Sequence, residues 1–145
     1  MAKPLIIDWD STIVNSQKAI CQIYNEMFHN SEGFVRADWT KTSRWDMSDQ
    51  CTLLPKYDLT VIDLFEVPRF FNIVEFYDGA REALEELSKH TSITICSAGT
   101  AKNISHKVLW VNEYLPFANI VPVTIKNSNG IGKQIVDMEG AIFID

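Results

Sequence analysis

The feature that most constrains the fold is an alternation of short apolar runs with longer segments of helical periodicity. Each apolar run is too short to form a helix and predicts a buried strand. Strands that alternate with helices form a parallel sheet with right-handed crossovers. The chain is therefore predicted to adopt an α/β fold, with strands at 5–7, 92–96, 119–123 and 141–144.

One connection in this alternation is far longer than a crossover needs. It lies between the first strand and the helix predicted from Ala80 to Leu87. Long insertions in compact folds are usually functional lids or caps. The plainer alternative is a small helical subdomain that only buries its own aromatic side chains. We predict a core of residues 1–14 and 75–145 with a helical cap of residues 15–74.

Composition narrows the class of protein. The chain has 145 residues and a formal net charge of -6, which suits one globular domain and argues against a nucleic-acid polymer as partner. Its three cysteines, Cys21, Cys51 and Cys96, have no close spacing, which argues against a disulfide framework or a zinc site. No stretch resembles a membrane span or a signal peptide. We therefore expect a reduced, cytoplasmic protein with no membrane partner.

Two aspartates follow the first strand, flanking a tryptophan. Alternation along the chain directs Asp8 and Asp10 to the same side. Carboxylates held so close repel each other, so either a cation lies between them or one of them stays protonated. The plainer alternative is a capping turn in which Asp10 or Ser11 begins a helix.

Polar and charged residues also follow the other three strands. Ser97 follows the second strand, Lys126 and Lys133 follow the third, and Asp145 follows the fourth. In parallel α/β sheets the ligand crevice lies outside the carboxyl ends of the strands. Each residue alone has an ordinary explanation as a helix cap or a solvated charge. In this order they predict a site where acids, a hydroxyl and a lysine converge.

The order resembles that of the haloacid-dehalogenase-like (HAD) phosphohydrolases. Their pattern is D-x-D-x-T after strand one, Ser or Thr after strand two, then a Lys, then an acid after the last core strand. The segments IIDWDST, ITICS and AIFID match the first, second and fourth motifs. Through FFNIVEFYDGAREALEEL and HKVLWVNEYL the chain is most similar to the 5'(3')-deoxyribonucleotidases. The resemblance implies a Rossmann-like parallel sheet with a small, mainly helical cap after the first strand.

The resemblance implies a magnesium-dependent phosphomonoesterase acting on (deoxy)nucleoside monophosphates. Asp8 would attack phosphorus and form an aspartyl-phosphate. Asp10 would protonate the leaving alcohol and then deprotonate the hydrolytic water. Mg²⁺ would bind the Asp8 and Asp145 carboxylates and the backbone carbonyl of Asp10.

The resemblance also implies the groups that bind the substrate. Ser97, Ala98 and Lys107 would contact the phosphate, together with a third-motif lysine. For that lysine we favour Lys133 over Lys126. An aromatic pocket would stack on the base, although most aromatic side chains of so small a unit pack in its core. The pocket candidates are Trp9, Phe34, Trp39, Trp45, Phe70 and Phe71, with Trp45 and Phe71 favoured.

Two departures from the family pattern affect these expectations. Ser11 stands where the first motif usually has glycine. The sequence stops at Asp145, where the fourth motif normally continues with a second acid and a further strand. Serine is tolerable at the first position, but the second departure leads us to expect weaker magnesium binding and an exposed sheet edge that favours a homodimer or aggregation. Two alternatives stay open: a HAD phosphatase for another small phosphate ester, and a truncated, non-catalytic HAD-like module.

Overall fold

The computed structural model describes residues 2–124, residue 133 and residues 136–145. Lys126, the rival candidate to Lys133, lies outside the described residues. Within the described part of the chain, no helix is long and apolar enough to cross a membrane.

The chain divides into two compact units. The sheet unit combines Met1–Asn15 with Phe76–Asp145. The helical unit is continuous and comprises Ser16–Glu75. The candidate residues that follow the strands therefore all belong to the sheet unit, and most of the candidate aromatic residues belong to the helical unit.

The sheet unit is built on four parallel strands. β1 (Leu5–Ile7) lies between β2 (Ile93–Gly99) and β4 (Ile142–Ile144), and β3 (Asn119–Thr124) lies on the other side of β2. This order confirms the predicted parallel α/β sheet. All three residues of β1 are buried, as expected for a central strand of a parallel sheet.

Five α-helices and two 3-10 helices complete the described elements. The α-helices are α1 (Ser16–Phe28), α2 (Val61–Phe65), α3 (Pro68–Ile73), α4 (Ala80–Ser88) and α5 (Ala101–Tyr114). The 3-10 helices are Trp39–Lys41 and Leu54–Tyr57. Helices α1 to α3 belong to the helical unit, and α4 and α5 belong to the sheet unit.

Local sequence signals explain where several helices begin. Pro68 both ends the preceding helical run and starts α3, because its fixed φ suits a first helical position. The Thr60 backbone N–H donates to the Asp63 carboxylate at 2.8 Å at the start of α2. Thr100 caps α5, with its hydroxyl accepting from the Asn103 backbone N–H at 3.2 Å.

Strand β2 is longer than its apolar run predicts. The prediction ends at Cys96, but pairing with β3 continues from Ser97 opposite Pro122 to Gly99 opposite Thr124. The less apolar residues stay in the strand because β3 offers partners over its whole length. Ser97 is therefore placed by the sheet ladder itself, and the prediction that it follows the strand was wrong.

The register brings the carboxyl ends of β1 and β4 to the same level of the sheet, beside β2. Ile7 pairs with Ile95 of β2 and with Ile144 of β4. The Asp8 backbone N–H then donates to the Ile144 carbonyl at 2.8 Å. Asp8 and Asp145 consequently leave neighbouring strands at the same level.

Candidate active site

Asp8 sits at the end of the central strand in a partly buried position. The Lys133 ammonium donates a hydrogen bond to one of its carboxylate oxygens. Burial raises the pKa of the Asp8 carboxyl, the Lys133 pair opposes this, and the Asp145 carboxyl adds to the rise. The net effect is a raised pKa, so holding Asp8 ionised depends on positive charge nearby.

The Lys133 ammonium lies near two carboxylates. Besides its bond to Asp8, its Nζ lies 3.9 Å from Oδ1 of Asp145. The Asp145 side chain is largely exposed, so this second interaction is weaker than the first. The lysine favoured from the sequence is thus the one that the structure places between the first and fourth motifs.

Lys107 forms the second centre of positive charge in the sheet unit. Its Nζ lies 2.7 Å from the Asp10 carboxylate and 2.8 Å from the Ser97 hydroxyl. A third bond, at 3.3 Å, reaches the carbonyl of Ala98. The side chain is only 1% exposed, and a buried ammonium is stable only when it is paired in this way.

The Trp9 ring packs against the Lys107 ammonium and does not line an open pocket. Its ring centroid is 5.1 Å from the Lys107 Nζ, which is within cation–π range. The Trp9 and Trp110 rings also pack edge to face, with centroids 5.1 Å apart. The ring is completely buried, so the structure gives Trp9 no surface for contact with a base.

The start of α5 depends on a close approach of backbone and side chain. A Cβ added at Gly99 would lie 2.3 Å from Oδ1 of Asn103. Residue 99 therefore needs to be glycine unless the buried Asn103 side chain moves. Sequence reasoning did not single out Asn103, although the T-x-x-N pattern after a strand is a signal for such a capped helix start.

Ser11 adopts a backbone conformation that favours glycine. Its φ is 58°, in the left-handed region that L-residues with a Cβ seldom occupy. Its backbone N–H donates to the Val14 carbonyl at 3.0 Å, which closes the turn after Asp10. This geometry accounts for the glycine that the family pattern usually has here.

The aromatic candidates of the helical unit have very different surroundings. Phe70 and Phe71 pack edge to face in its core and are buried, which argues against the pocket role favoured for Phe71. Phe34 stacks on the buried ring of Tyr24, with centroids 6.0 Å apart. Trp39 is 36% exposed, and Trp45 is 82% exposed.

Trp45 stands on a loop that hydrogen bonds hold in place. The Asp49 carboxylate accepts from the Ser43 backbone N–H at 2.7 Å and from the Thr42 hydroxyl at 3.1 Å. Met47, two residues after Trp45, is buried and anchors the same loop. The indole is thus presented to solvent by a well-bonded loop.

The oxygen donors of the sheet unit are of the kind that Mg²⁺ prefers. Two carboxylates, those of Asp8 and Asp145, lie on either side of the Lys133 ammonium and supply the oxygen ligands that Mg²⁺ prefers. Asp10 directs its carboxylate to Lys107, which suits the expectation that only its backbone carbonyl serves as a ligand. Across the described residues, no group of three or more His, Cys, Asp or Glu side chains is arranged as a metal site.

Comparison with protein families decides where the chain belongs. The family described as "5' nucleotidase, deoxy (Pyrimidine), cytosolic type C protein" matches residues 3–138. The chain belongs to this family. Members of this nucleotidase family and its HAD relatives are hydrolases acting on phosphate monoesters. The matched residues include both aspartates of the first motif but end before Asp145.

Curated relatives point the same way. A 5'(3')-deoxyribonucleotidase of Clostridium acetobutylicum is 26% identical over 132 residues, which are 90% of this chain and 69% of that protein. A Staphylococcus epidermidis protein assigned as a 5'(3')-deoxyribonucleotidase is 25% identical over 116 residues, 78% of this chain and 60% of its own. The chain thus spans 69% and 60% of the lengths of these nucleotidases.

Solved structures confirm the HAD-like fold. A protein of Lactobacillus plantarum, assigned as a phosphoglycolate phosphatase, superposes with a TM-score of 0.57 at 17% identity, covering 100% of this chain and 78% of that one. A Bacillus subtilis protein assigned as a HAD hydrolase, solved with magnesium, gives a TM-score of 0.55 at 13% identity, covering 97% and 76%. At such identities the likeness speaks for the fold of this nucleotidase-family chain and not for its substrate.

Proposed function

We propose that the chain is a magnesium-dependent 5'(3')-deoxyribonucleotidase that works through an aspartyl-phosphate. The observation that carries the proposal is the pair of carboxylate–lysine contacts at one edge of the sheet. Asp8 pairs with Lys133, and Asp10 pairs with Lys107. A phosphate monoester needs a nucleophile, a proton donor and positive charge on its oxygens, and these four residues supply them.

Asp8 is the nucleophile of the proposed reaction. Its carboxylate attacks phosphorus, the bond from phosphorus to the ester oxygen breaks, and an aspartyl-phosphate forms. Lys133 holds the attacking group and lies where it can offset the charge that the phosphate brings. Asp8, Asp145 and the Asp10 carbonyl would hold Mg²⁺, which would supply further positive charge for the approach of two anions.

Asp10 is the general acid and then the general base. In the resting site its carboxylate is held by Lys107. A bound phosphate offers Lys107 and Ser97 an alternative acceptor, which releases the Asp10 carboxylate. Asp10 then takes up a proton from solvent and passes it to the leaving alcohol. In the second step Asp10 takes a proton from the water that hydrolyses the aspartyl-phosphate. Ser97 donates its hydroxyl to a phosphate oxygen throughout.

The helical unit is the proposed cap, and Trp45 is its proposed base-stacking residue. Trp45 is 82% exposed and can contact a base, whereas Phe70 and Phe71 are buried. Stacking on an aromatic face suits a nucleobase of either ring size. Trp39 is the second candidate because it retains partial exposure.

The proposed partner is a small phosphorylated substrate, a (deoxy)nucleoside monophosphate. The acidic net charge of -6 gives no support to a nucleic-acid polymer. A homodimer stays a prediction, as does a cytoplasmic location. The side chains of β4 are exposed. A measurement of molecular mass in solution tests the predicted homodimer.

A substrate panel tests the proposal. Phosphate release is measured from deoxynucleoside monophosphates, ribonucleoside monophosphates and sugar phosphates, at saturating magnesium. We expect the nucleotides to be preferred, and Trp45→Ala to raise KM for nucleotides while leaving kcat within a few-fold. Val35→Ala serves as the control, because Val35 is an exposed apolar residue of the same unit and is not a candidate for the base pocket. A preference for a sugar phosphate would replace the nucleotide assignment with another HAD phosphatase, and no turnover of any ester would favour a non-catalytic module.

A further inference from the structure

Trp9, the residue between the two aspartates of the first motif, lies directly against the Lys107 ammonium. The Lys107 Nζ stands over the indole ring, 5.1 Å from its centroid. Both side chains are buried, with residue exposures of 0% and 1%. Because both groups are out of contact with solvent, the attraction between a cation and a ring face is at the strong end of its range. Trp9 therefore helps to hold a positive charge inside the sheet unit.

The indole ring is fixed in its position by backbone and packing contacts. The Trp9 backbone carbonyl accepts from the Ile13 backbone N–H at 3.2 Å, which ties Trp9 to the turn that follows it. The ring packs edge to face with Trp110 of α5, and Trp110 in turn contacts the ring of Phe76, with centroids 5.0 Å apart. The ring is thus a fixed surface, and the ammonium at the end of the long Lys107 side chain rests on it.

Trp9 is a contact of this ammonium that the proposed reaction leaves unchanged. The ammonium also donates to the Asp10 carboxylate, the Ser97 hydroxyl and the Ala98 carbonyl. In the proposed reaction Asp10 becomes protonated, and Ser97 donates its hydroxyl to the phosphate. An indole ring has no group that gains or loses a proton in these steps. Its attraction for the ammonium therefore persists while the carboxylate charge of Asp10 is lost.

We propose that Trp9 is a positioning residue of the phosphate site. It keeps the Lys107 ammonium in place while the hydrogen bonds of that ammonium pass from the Asp10 carboxylate to the substrate phosphate. The inference rests on the proposed nucleotidase function. The indole attracts the cation without offering an anionic acceptor that would compete with the phosphate. An aliphatic side chain at residue 9 would fill part of the same space and supply no such attraction.

Proton NMR of the full chain, in magnesium buffer, tests where the ammonium lies. The Lys107 Hε signals, assigned by their loss in Lys107→Met, should lie upfield of those of exposed lysines because of the Trp9 ring current. Saturating inorganic phosphate should shift the Ser97 amide signal and leave the Lys107 Hε signals upfield. Their return to the ordinary lysine range would overturn the role of Trp9 alone, because the ammonium would have left the ring. No response of Ser97 to phosphate would overturn the nucleotidase proposal and this role with it.

A fluorotryptophan series tests whether the charge distribution of the ring matters. Successive fluorine atoms withdraw electron density from the face of an indole with little change in its size, so they weaken its attraction for a cation without threatening the fold. One, two or three fluorines are introduced site-specifically at residue 9. The Kd of inorganic phosphate should rise with each fluorine, by about two- to tenfold over the series.

The same series at Trp110 is the matched control. Trp110 belongs to the same aromatic cluster, and its ring meets Trp9 through an edge-to-face contact. Fluorination at Trp110 should therefore leave the Kd of inorganic phosphate within about twofold of wild type. A flat response at residue 9, or equal trends at the two positions, would overturn the proposal. Neither phosphate binding nor the NMR signals require turnover of a substrate.

Discussion

The buried ammonium of Lys107 lies 2.7 Å from the Asp10 carboxylate, and the two partners differ greatly in exposure. Lys107 is 1% exposed, whereas the Asp10 side chain is 29% exposed. Removing either partner leaves the other charge behind, so the cost depends on which charge remains. A lysine left alone has no route to water, while an aspartate left alone does.

This asymmetry predicts the order of two stability measurements. Asp10→Ala strands the buried ammonium with two neutral oxygens and should lower the free energy of unfolding by about 3 kcal/mol or more. Lys107→Met fills the same volume and leaves a carboxylate in partial contact with solvent, so we expect a loss of only about 1–2 kcal/mol. Urea denaturation measures both. A larger loss for Lys107→Met would show that the pair is not organised as described.

The left-handed backbone of Ser11 predicts a stabilising substitution. Ser11→Gly removes the clash of a Cβ at a φ of 58°, at the expense of extra freedom in the unfolded chain. We expect a net gain of about 0.5–1 kcal/mol in the free energy of unfolding. Ser11→Ala is the matched control, since it keeps the Cβ and should gain nothing. Equal effects from glycine and alanine would argue against strain at this turn.

The loop that carries Trp45 should depend on pH through Asp49. Hydrogen bonding, first from the Ser43 backbone N–H, lowers the pKa of the Asp49 carboxyl below its ordinary value of 3.8. Because the pKa of Asp49 is lowered in the folded state, the stability that its carboxylate contributes is fully present above the unfolded-state pKa. That stability is lost as pH falls through the folded-state pKa. The loop should therefore stay ordered at neutral pH and lose its order only at pH values below the ordinary pKa range of aspartate.

Tryptophan fluorescence follows this change. Acrylamide quenching of wild type, corrected with Trp45→Phe, should show a steady Trp45 contribution down to mildly acidic pH and a change below it. Asp49→Asn should already show the loosened loop at neutral pH. If Asp49→Asn left quenching unaltered, the Ser43 and Thr42 bonds would not be what orders the loop.

The elements of the sheet unit could largely be predicted because their signals are local. The apolar run of β1 and the periodicity of α4 gave bounds within about a residue of those observed. The exception is β2, whose extension to Gly99 depends on a partner strand far along the chain. Lys107 could be assigned only through the family resemblance, since nothing local distinguishes it from an exposed helical lysine.

The helical unit could be predicted less well, because the exposure of an aromatic side chain is a tertiary property. Phe71 and Trp45 were equally good candidates from the sequence, yet one is buried and the other is exposed. Resemblance to a family singled out the residues of the first motif, but it did not predict these packing relationships.

The most direct test of the proposed mechanism is phosphate release by wild type and Asp8→Asn, each with magnesium and with a chelator. The amide removes the nucleophilic carboxylate with little change in volume, and far-ultraviolet circular dichroism confirms that both proteins are folded. We expect magnesium-dependent release of phosphate from a deoxynucleoside monophosphate by wild type. Asp8→Asn should lose it by at least about 10³-fold. Turnover by Asp8→Asn close to that of wild type would contradict the assignment of Asp8 as the nucleophile, and with it the account of this site.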